Sequence, residues 1–262
     1  MEIKDQLGRK LQIPDSPKQI VSLVPSQTEL LIDLGLENKI AGITKFCVHP
    51  EDLQKRKKIV GGTKSVHFEK IKALQPDLIF CNKEENTEEM VLELEKICPV
   101  HVSDIVNLED AFQLMRQYGE IFERKKKVEE IIAEIRAKQN LLENQIRGKK
   151  RLKVAYFIWK KPLMVAGKDT FINNLLELNQ FENIYSGRYP ETDLQQLQEN
   201  DPDLIFLSSE PFPFKEKHKE IFESLRAEVI LVDGEFFSWY GSRLLKAMDY
   251  FNQLQDQASI SR

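Results

Sequence analysis

One pentapeptide occurs twice in this chain and constrains its fold more than any other feature. Pro-Asp-Leu-Ile-Phe stands at residues 76–80 and again at residues 202–206. Such an apolar run is typical of a strand buried on both faces of a parallel sheet. The stretch 28–38 also resembles the stretch 170–183. The two halves of the chain are therefore predicted to be copies of one α/β unit.

Apolar runs alternate with helical patterns in both halves. Predicted strands lie at 20–24, 40–43, 77–81, 100–103 and 152–158, with helices between them. Ser26 followed by Glu29 predicts a capping box at the start of the first helix, and Gly35 predicts its end. Alternating strands and helices imply βαβ crossovers. We predict an α/β fold of two Rossmann-like lobes with parallel sheets.

A long amphipathic helix separates the halves. Its apolar stripe runs from Arg124 to about Arg147. We predict an N-terminal α/β lobe over 1–122, a connecting backbone helix over 123–150 and a C-terminal α/β lobe over 151–262. Of 23 aromatic residues, 6 precede residue 123 and 17 follow residue 150. The C-terminal lobe is therefore predicted to supply the more aromatic wall of a ligand site.

The composition excludes several classes of protein. With 38 basic and 42 acidic residues and 41% hydrophobic residues, the chain is predicted to be globular and to lack a footprint for nucleic acid. No run approaches the ~18 apolar residues that cross a bilayer, so membrane insertion is not expected. The N-terminus is charged at Glu2, Lys4 and Asp5, where a signal peptide needs an apolar segment. We expect a cytoplasmic monomer, or a periplasmic one if a leader was removed before residue 1.

The segments that follow the predicted strands are the candidate ligand site, because parallel sheets bind ligands beyond their carboxyl ends. Two lobes facing each other are expected to form a cleft there. Aromatic rings at such an edge stack on flat ligands, and basic side chains suit an anionic ligand edge. The predicted ligand-binding residues are Pro25, Ser26, Lys45, Phe46, Thr63, Lys64, Lys83, Trp159, Arg188, Tyr189, Phe212, Phe236, Phe237, Trp239, Tyr240 and Arg243. For the rings of 236–240 the alternative is a place in the core.

Known catalytic signatures are absent from the sequence. It contains no GxSxG or HExxH motif, and residues 61–65 lack the spacing of a phosphate loop. We therefore predict no catalytic residue, no resident cofactor and no metal ligand. The alternative is a transition-metal site in which Cys47 and His49 are ligands and His67 joins them in space. The three cysteines lack CxxC spacing, so reduced thiols are expected.

Several short segments carry a family resemblance that covers nearly the whole chain. They are Asp5 to Arg9, Ile13-Pro14, Ile20 to Leu23 with Pro25, Ser26 and Glu29, Leu74 to Ile79, and Gly241 with Arg243. With them the chain resembles the substrate-binding proteins of iron-siderophore, haem and cobalamin ABC importers, the class III helical-backbone group, and its cobalamin branch most closely. The resemblance implies two Rossmann-like lobes bridged by one rigid helix, a metal chelate in a shallow cleft, and little hinge motion.

The chain departs from the cobalamin-binding pattern at three places. Thr63 stands where those proteins carry tryptophan, and residues 235–239 read Glu-Phe-Phe-Ser-Trp in place of Asp-Trp-Phe-x-Arg. The family resemblance also implies one surface glutamate on each lobe that pairs with permease arginines. Glu69 matches the first docking position, whereas the second reads Gln195.

Three functions follow as hypotheses. The first is a non-enzymatic receptor for a metal chelate, a corrinoid first and otherwise haem or a ferric siderophore, presented to an ABC importer. The second is a cytosolic chelatase-like protein of cofactor metabolism, outside transport, that holds a metal on His49, His67 and Glu84 or Glu85. The third is a small-molecule sensor or scaffold that kept the fold and lost transport.

Overall fold

The structure, a computed structural model, describes residues 1–260. Within that range the strands are β1 Glu2–Lys4, β2 Lys10–Gln12, β3 Ile20–Ser22, β4 Ile40–Thr44, β5 Lys58–Gly61, β6 Leu78–Asn82, β7 Val100–Ser103, β8 Leu152–Trp159, β9 Met164–Ala166, β10 Phe181–Asn183, β11 Leu204–Ser208 and β12 Glu228–Val232. The helices are α1 Pro25–Asp33, α2 Leu53–Arg56, α3 Phe68–Ala73, α4 Glu88–Glu95, α5 Leu108–Ile121, α6 Lys125–Ile146, α7 Phe171–Leu178, α8 Leu194–Asn200, α9 Glu235–Ser238 and α10 Leu244–Ile260. None of the helices described is both long and apolar enough to cross a membrane.

The chain divides into two compact units. The first unit comprises Met1–Ile105, Glu109–Ala133 and Tyr240–Arg243, and the second comprises Val106–Leu108, Glu134–Trp239 and the chain from Leu244 onward. The division falls inside α6, whereas the sequence-based boundaries at 122 and 150 flank that helix. Four residues near the end of the chain, 240–243, belong with the first unit.

A five-stranded parallel sheet forms the centre of the first unit. Its strand order is β5-β4-β3-β6-β7, and a separate antiparallel hairpin joins β1 to β2. Because β3 and β6 lie in the middle of the sheet, their side chains are buried on both faces. Val21, Ile79 and Val100 contribute to a core beneath α3 and α4.

The second unit repeats this sheet with fewer parallel strands. Its order is β10-β8-β11-β12, all parallel, with β9 added antiparallel to β8. The strands of the repeated pentapeptide take corresponding places: β6 lies between β3 and β7, and β11 lies between β8 and β12. Ala155, Phe157 and Ile205 form part of the core on one face. The predicted α/β fold with two parallel sheets and a long helix is confirmed.

The aspartate of the repeated pentapeptide has the same role in both units. The Asp77 carboxylate accepts the backbone N–H groups of Lys18 (2.6 Å) and Gln19 (3.0 Å), just before β3. The Asp203 carboxylate accepts the N–H of Lys153 (2.9 Å), at the start of β8. The Asp77 N–H also donates to the Gln19 carbonyl (2.7 Å), and the Asp203 N–H donates to the Lys153 carbonyl (2.9 Å). The carboxylate therefore fixes the register of two central strands where they begin.

Replacing either aspartate with alanine is expected to lower the free energy of unfolding by about 1–2 kcal/mol, because charge-assisted hydrogen bonds to backbone N–H groups are lost. Urea unfolding of Asp77→Ala and Asp203→Ala measures this. Asp256→Ala, at an exposed position of α10, is the matched control and is expected to change stability little. An unfolding free energy unchanged in both variants would contradict the shared role.

The predicted capping box is wrong, whereas the predicted end of the first helix is confirmed. Helix α1 begins at Pro25, and its N-cap residue is Val24, whose side chain makes no capping hydrogen bond. Proline at the first helical position already has the φ that the helix needs, so Ser26 and Glu29 lie within the helix instead. Gly35 ends it with φ +76°.

Candidate functional site

Sequence-predicted residues of the first unit converge on one edge of its sheet. Since β3 to β7 are parallel, their carboxyl ends share that edge, here called the first carboxyl edge. The residues that directly follow these strands include Pro25, Ser26, Lys45, Phe46, Thr63, Lys64 and Lys83. The structure thus brings these seven together at one edge, although they follow four different strands.

Phe46 is the most prominent apolar group of this edge. Its side chain is 47% exposed, and a Cβ placed on Gly62 would lie 3.3 Å from its ring. The ammonium nitrogen of Lys45 lies 5.0 Å from the ring centroid, a cation–π distance. Lys64 is exposed and Thr63 half-buried in the adjoining turn. The edge therefore presents a ring bordered by positive charge.

Other predicted residues of the edge are less available. Pro25 and Ser26 are buried in the first turn of α1. Lys83 is exposed but forms an ion pair with Asp104 at 2.6 Å. Of these three, only the Lys83 ammonium group meets solvent directly.

A buried polar network lies beneath the first carboxyl edge. Gln27 donates its amide to the hydroxyls of Ser103 (2.6 Å) and Tyr240 (2.9 Å), and it accepts from the hydroxyl of Tyr118 (2.7 Å). Asn82, the last residue of β6, also donates to the Ser103 hydroxyl (3.0 Å). Burial raises the pKa of both tyrosines, so their hydroxyls stay protonated. Tyr240 was predicted to contact ligand, and its hydroxyl is part of this network.

Arg243 forms a buried ion pair with Glu29 of α1. Two guanidinium nitrogens donate to the two carboxylate oxygens at 2.7 and 2.9 Å, the bidentate geometry that favours arginine. The side chains are 5% and 9% exposed. Gly241 packs on Leu30 of the same helix, where an added Cβ would lie at 3.3 Å. The guanidinium predicted to meet a ligand's polar edge is therefore engaged with Glu29.

The cysteine and histidine residues do not assemble a metal site. The Cys47 sulfur is buried within 3.2 Å of the Thr28 hydroxyl and 3.3 Å of the Thr44 hydroxyl. Burial raises the pKa of this thiol, which disfavours the thiolate that binds metals. Across residues 1–260, no group of three or more His, Cys, Asp or Glu side chains is placed to hold a metal ion. The three cysteines are free.

The second unit presents a more aromatic carboxyl edge. Trp159, at the end of β8, is 40% exposed, and its ring meets Phe212 edge-to-face at 5.8 Å. The Trp159 indole donates to the Lys161 carbonyl (3.0 Å), which fixes the ring. Tyr189 is 38% exposed, and Arg188 beside it is half-buried. Trp159 is therefore the most exposed ring at the end of β8, whereas Tyr189 lies on a segment that is hydrogen-bonded along β9.

The aromatic cluster at 236–239 divides between the core and the edge. Phe237 is fully buried against Tyr156 and Phe251, so its ring offers no surface to a ligand. Phe236 is half-buried and stacks on Tyr250 at 4.8 Å. Trp239 keeps 7% of its surface exposed.

Glu210 is a residue of this edge that sequence reasoning did not single out. It follows β11, and its Oε1 accepts the indole N–H of Trp239 (3.1 Å) and the hydroxyl of Ser238. Burial raises the pKa of this carboxyl, with smaller contributions from Glu235 and Asp233. The available signal was its position: it is the first charged residue after the repeated pentapeptide.

The two predicted docking positions lie on exposed first turns of corresponding helices. Glu69 is on α3, which precedes β6, and Gln195 is on α8, which precedes β11. The Gln195 amide donates to Glu199 at 3.0 Å. A role for either in docking stays a prediction.

Comparison with known proteins identifies the family of this chain. The model of the periplasmic binding protein family matches residues 20–231, and the chain belongs to that family. An ABC transporter substrate-binding lipoprotein of Bacillus subtilis, YvrC, is 28% identical over 191 residues, which span 69% of this chain and 60% of YvrC. A vitamin B12-binding protein of Vibrio campbellii is 25% identical over 195 residues, 73% of this chain and 70% of that protein.

Solved structures share the fold at lower identity. The petrobactin-binding protein YclQ of Bacillus subtilis superposes with a TM-score of 0.83 at 18% identity, covering 98% of each chain. This likeness shows the fold alone. The resemblance read from the sequence, to substrate-binding proteins of ABC importers, is confirmed.

Proposed function

We propose that this chain is the substrate-binding component of an ABC importer and that its ligand is a metal chelate, a corrinoid first and otherwise haem or a ferric siderophore. One observation carries the proposal: exposed aromatic side chains stand at the carboxyl edges of both sheets, where α/β folds bind ligands. They are Phe46 in the first unit and Trp159 in the second. Flat, largely apolar macrocycles match such rings.

Family membership and the names of relatives support the same function. One relative is a lipoprotein of an ABC transporter and another binds vitamin B12. The names of these relatives also favour a location outside the cytoplasm and a permease as the partner of this chain. We propose that Glu69 and Gln195 lie on the docking surface for that permease. We further propose that the chelate is cargo and that the protein catalyses no reaction.

Titration of cobalamin, cobinamide, haem and ferric siderophores against tryptophan fluorescence tests the proposal. We expect one of these chelates to bind with micromolar or tighter affinity and, on binding, to quench the tryptophan emission. Trp159 is exposed and Trp239 buried, so Trp159→Phe is expected to remove most of the quenching while binding persists by calorimetry. Absence of both quenching and heat with every chelate would reject the function.

Trp159→Ala is expected to weaken binding of the active chelate about tenfold, because a stacked ring contributes ~1–1.5 kcal/mol beyond its buried area. Leu141→Ala is the matched control, since Leu141 is a 62% exposed apolar side chain on α6. Equal affinities in all three proteins would exclude Trp159 from the ligand surface.

A further inference from the structure

We propose that Glu210 makes the second unit select a chelate that presents hydrogen-bond donors, such as primary amides, over one that presents carboxylates. This inference rests on the proposed function and deepens it. It assigns a specificity-determining role to a residue at the carboxyl end of β11, within reach of the Trp239 indole.

The first step is the unequal use of the two carboxylate oxygens. Oε1 already accepts from the Ser238 hydroxyl and the Trp239 indole. Both hydrogen bonds that the described residues donate to this carboxylate go to Oε1, which leaves Oε2 as the acceptor they do not use. The stem of the side chain is also held, because a Cβ on Gly234 would lie 2.6 Å from the Glu210 Cγ. A fixed carboxylate thus offers one open acceptor beside a tryptophan.

The second step is the charge around that acceptor. Asp233 and Glu235 follow the adjacent strand β12, and both act on the ionisation of Glu210. A ligand carboxylate placed at Oε2 would meet three acidic groups, whereas an amide N–H would meet an acceptor.

Corrinoids supply a matched pair of probes for this difference. Dicyanocobinamide carries amides around the corrin ring, and dicyanocobyrinic acid carries carboxylates around the same ring. The wild-type protein is expected to bind the amide form at least tenfold more tightly, since hydrogen bonds to charged groups and charge repulsion are worth a factor of ~10–100. Calorimetry at pH 7.5 measures both affinities.

Glu210→Gln is expected to reduce this preference about tenfold. Glutamine keeps an oxygen acceptor for Ser238 and Trp239 but replaces Oε2 with a donor, which suits a carboxylate. Glu182→Gln removes one negative charge at an exposed position of β10 and is expected to leave the preference unchanged. Thermal unfolding of each variant confirms that the fold is retained.

The outcomes separate this inference from the proposed function. Failure of every chelate to bind the wild-type protein rejects the function itself. Wild-type protein that binds cobyrinic acid, haem or a carboxylate siderophore as tightly as cobinamide overturns the inference alone. So does an unchanged preference in Glu210→Gln. The wild-type comparison decides the point even if that variant does not fold.

Discussion

Arg243→Met is expected to lower the free energy of unfolding of the first unit by about 3–5 kcal/mol. The reason is the carboxylate of Glu29, which stays buried when its bidentate partner is removed. Charge left without a partner in the interior costs more than the pair itself contributes. The loss is therefore expected even though methionine fills similar space.

The tryptophans help to localise this effect. Both Trp159 and Trp239 belong to the second unit. Urea unfolding followed by tryptophan emission therefore reports on that unit, while far-ultraviolet circular dichroism reports on both. In Arg243→Met the dichroism transition is expected to move to lower urea by more than the emission transition.

Two controls define the mechanism. Lys83→Met breaks an ion pair whose lysine is 53% exposed, and it is expected to cost less than about 1 kcal/mol. The double variant Glu29→Leu/Arg243→Met removes both buried charges and is expected to be more stable than Arg243→Met alone. A double variant no more stable than the single one would mean that packing, rather than charge, dominates.

Most of the fold follows from local patterns in the sequence. The repeated pentapeptide predicts β6 and β11 because a strand between two others is apolar throughout. The strands β1, β2, β9 and β10 are not among those predicted, since an isolated stretch of three residues carries too little periodicity. The structure extends the repeat further: Gln75 and Asp201, just before each pentapeptide, both have left-handed backbones with φ of 47° and 45°.

The partners of the candidate site residues could not be predicted in the same way. Strand alternation locates the two carboxyl edges, and residue type identifies the rings and cations there. The sequence does not reveal that Arg243 pairs with Glu29, 214 positions away. Nor does it separate Phe237, which is in the core, from Phe236, which is half-buried. Such distinctions depend on long-range packing, which a local pattern does not contain.

Gln27→Leu is expected to lower the free energy of unfolding by about 2–4 kcal/mol. Leucine is close in size but leaves the hydroxyls of Tyr118, Tyr240 and Ser103 without their amide partner in a buried environment. Each orphaned buried polar group costs ~1–3 kcal/mol. The loss is partly offset because Ser103 keeps its bonds to Asn82 and the Cys81 carbonyl, and the Tyr240 hydroxyl keeps its contact with Ser103. Urea unfolding measures the loss, and Gln12→Leu, at an exposed position of β2, is the matched control.

A double-variant cycle shows whether these groups act as one network. Tyr118→Phe alone orphans the Gln27 carbonyl, but in the Gln27→Leu background it removes an orphaned hydroxyl instead. The double variant is therefore expected to lose less than the sum of the two single losses. Strictly additive losses would contradict the network.

Since Tyr240 and Arg243 come from one short segment, the amide of Gln27 and the carboxylate of Glu29 hold that segment on successive parts of α1. Either substitution is thus expected to weaken the same attachment through a different side chain.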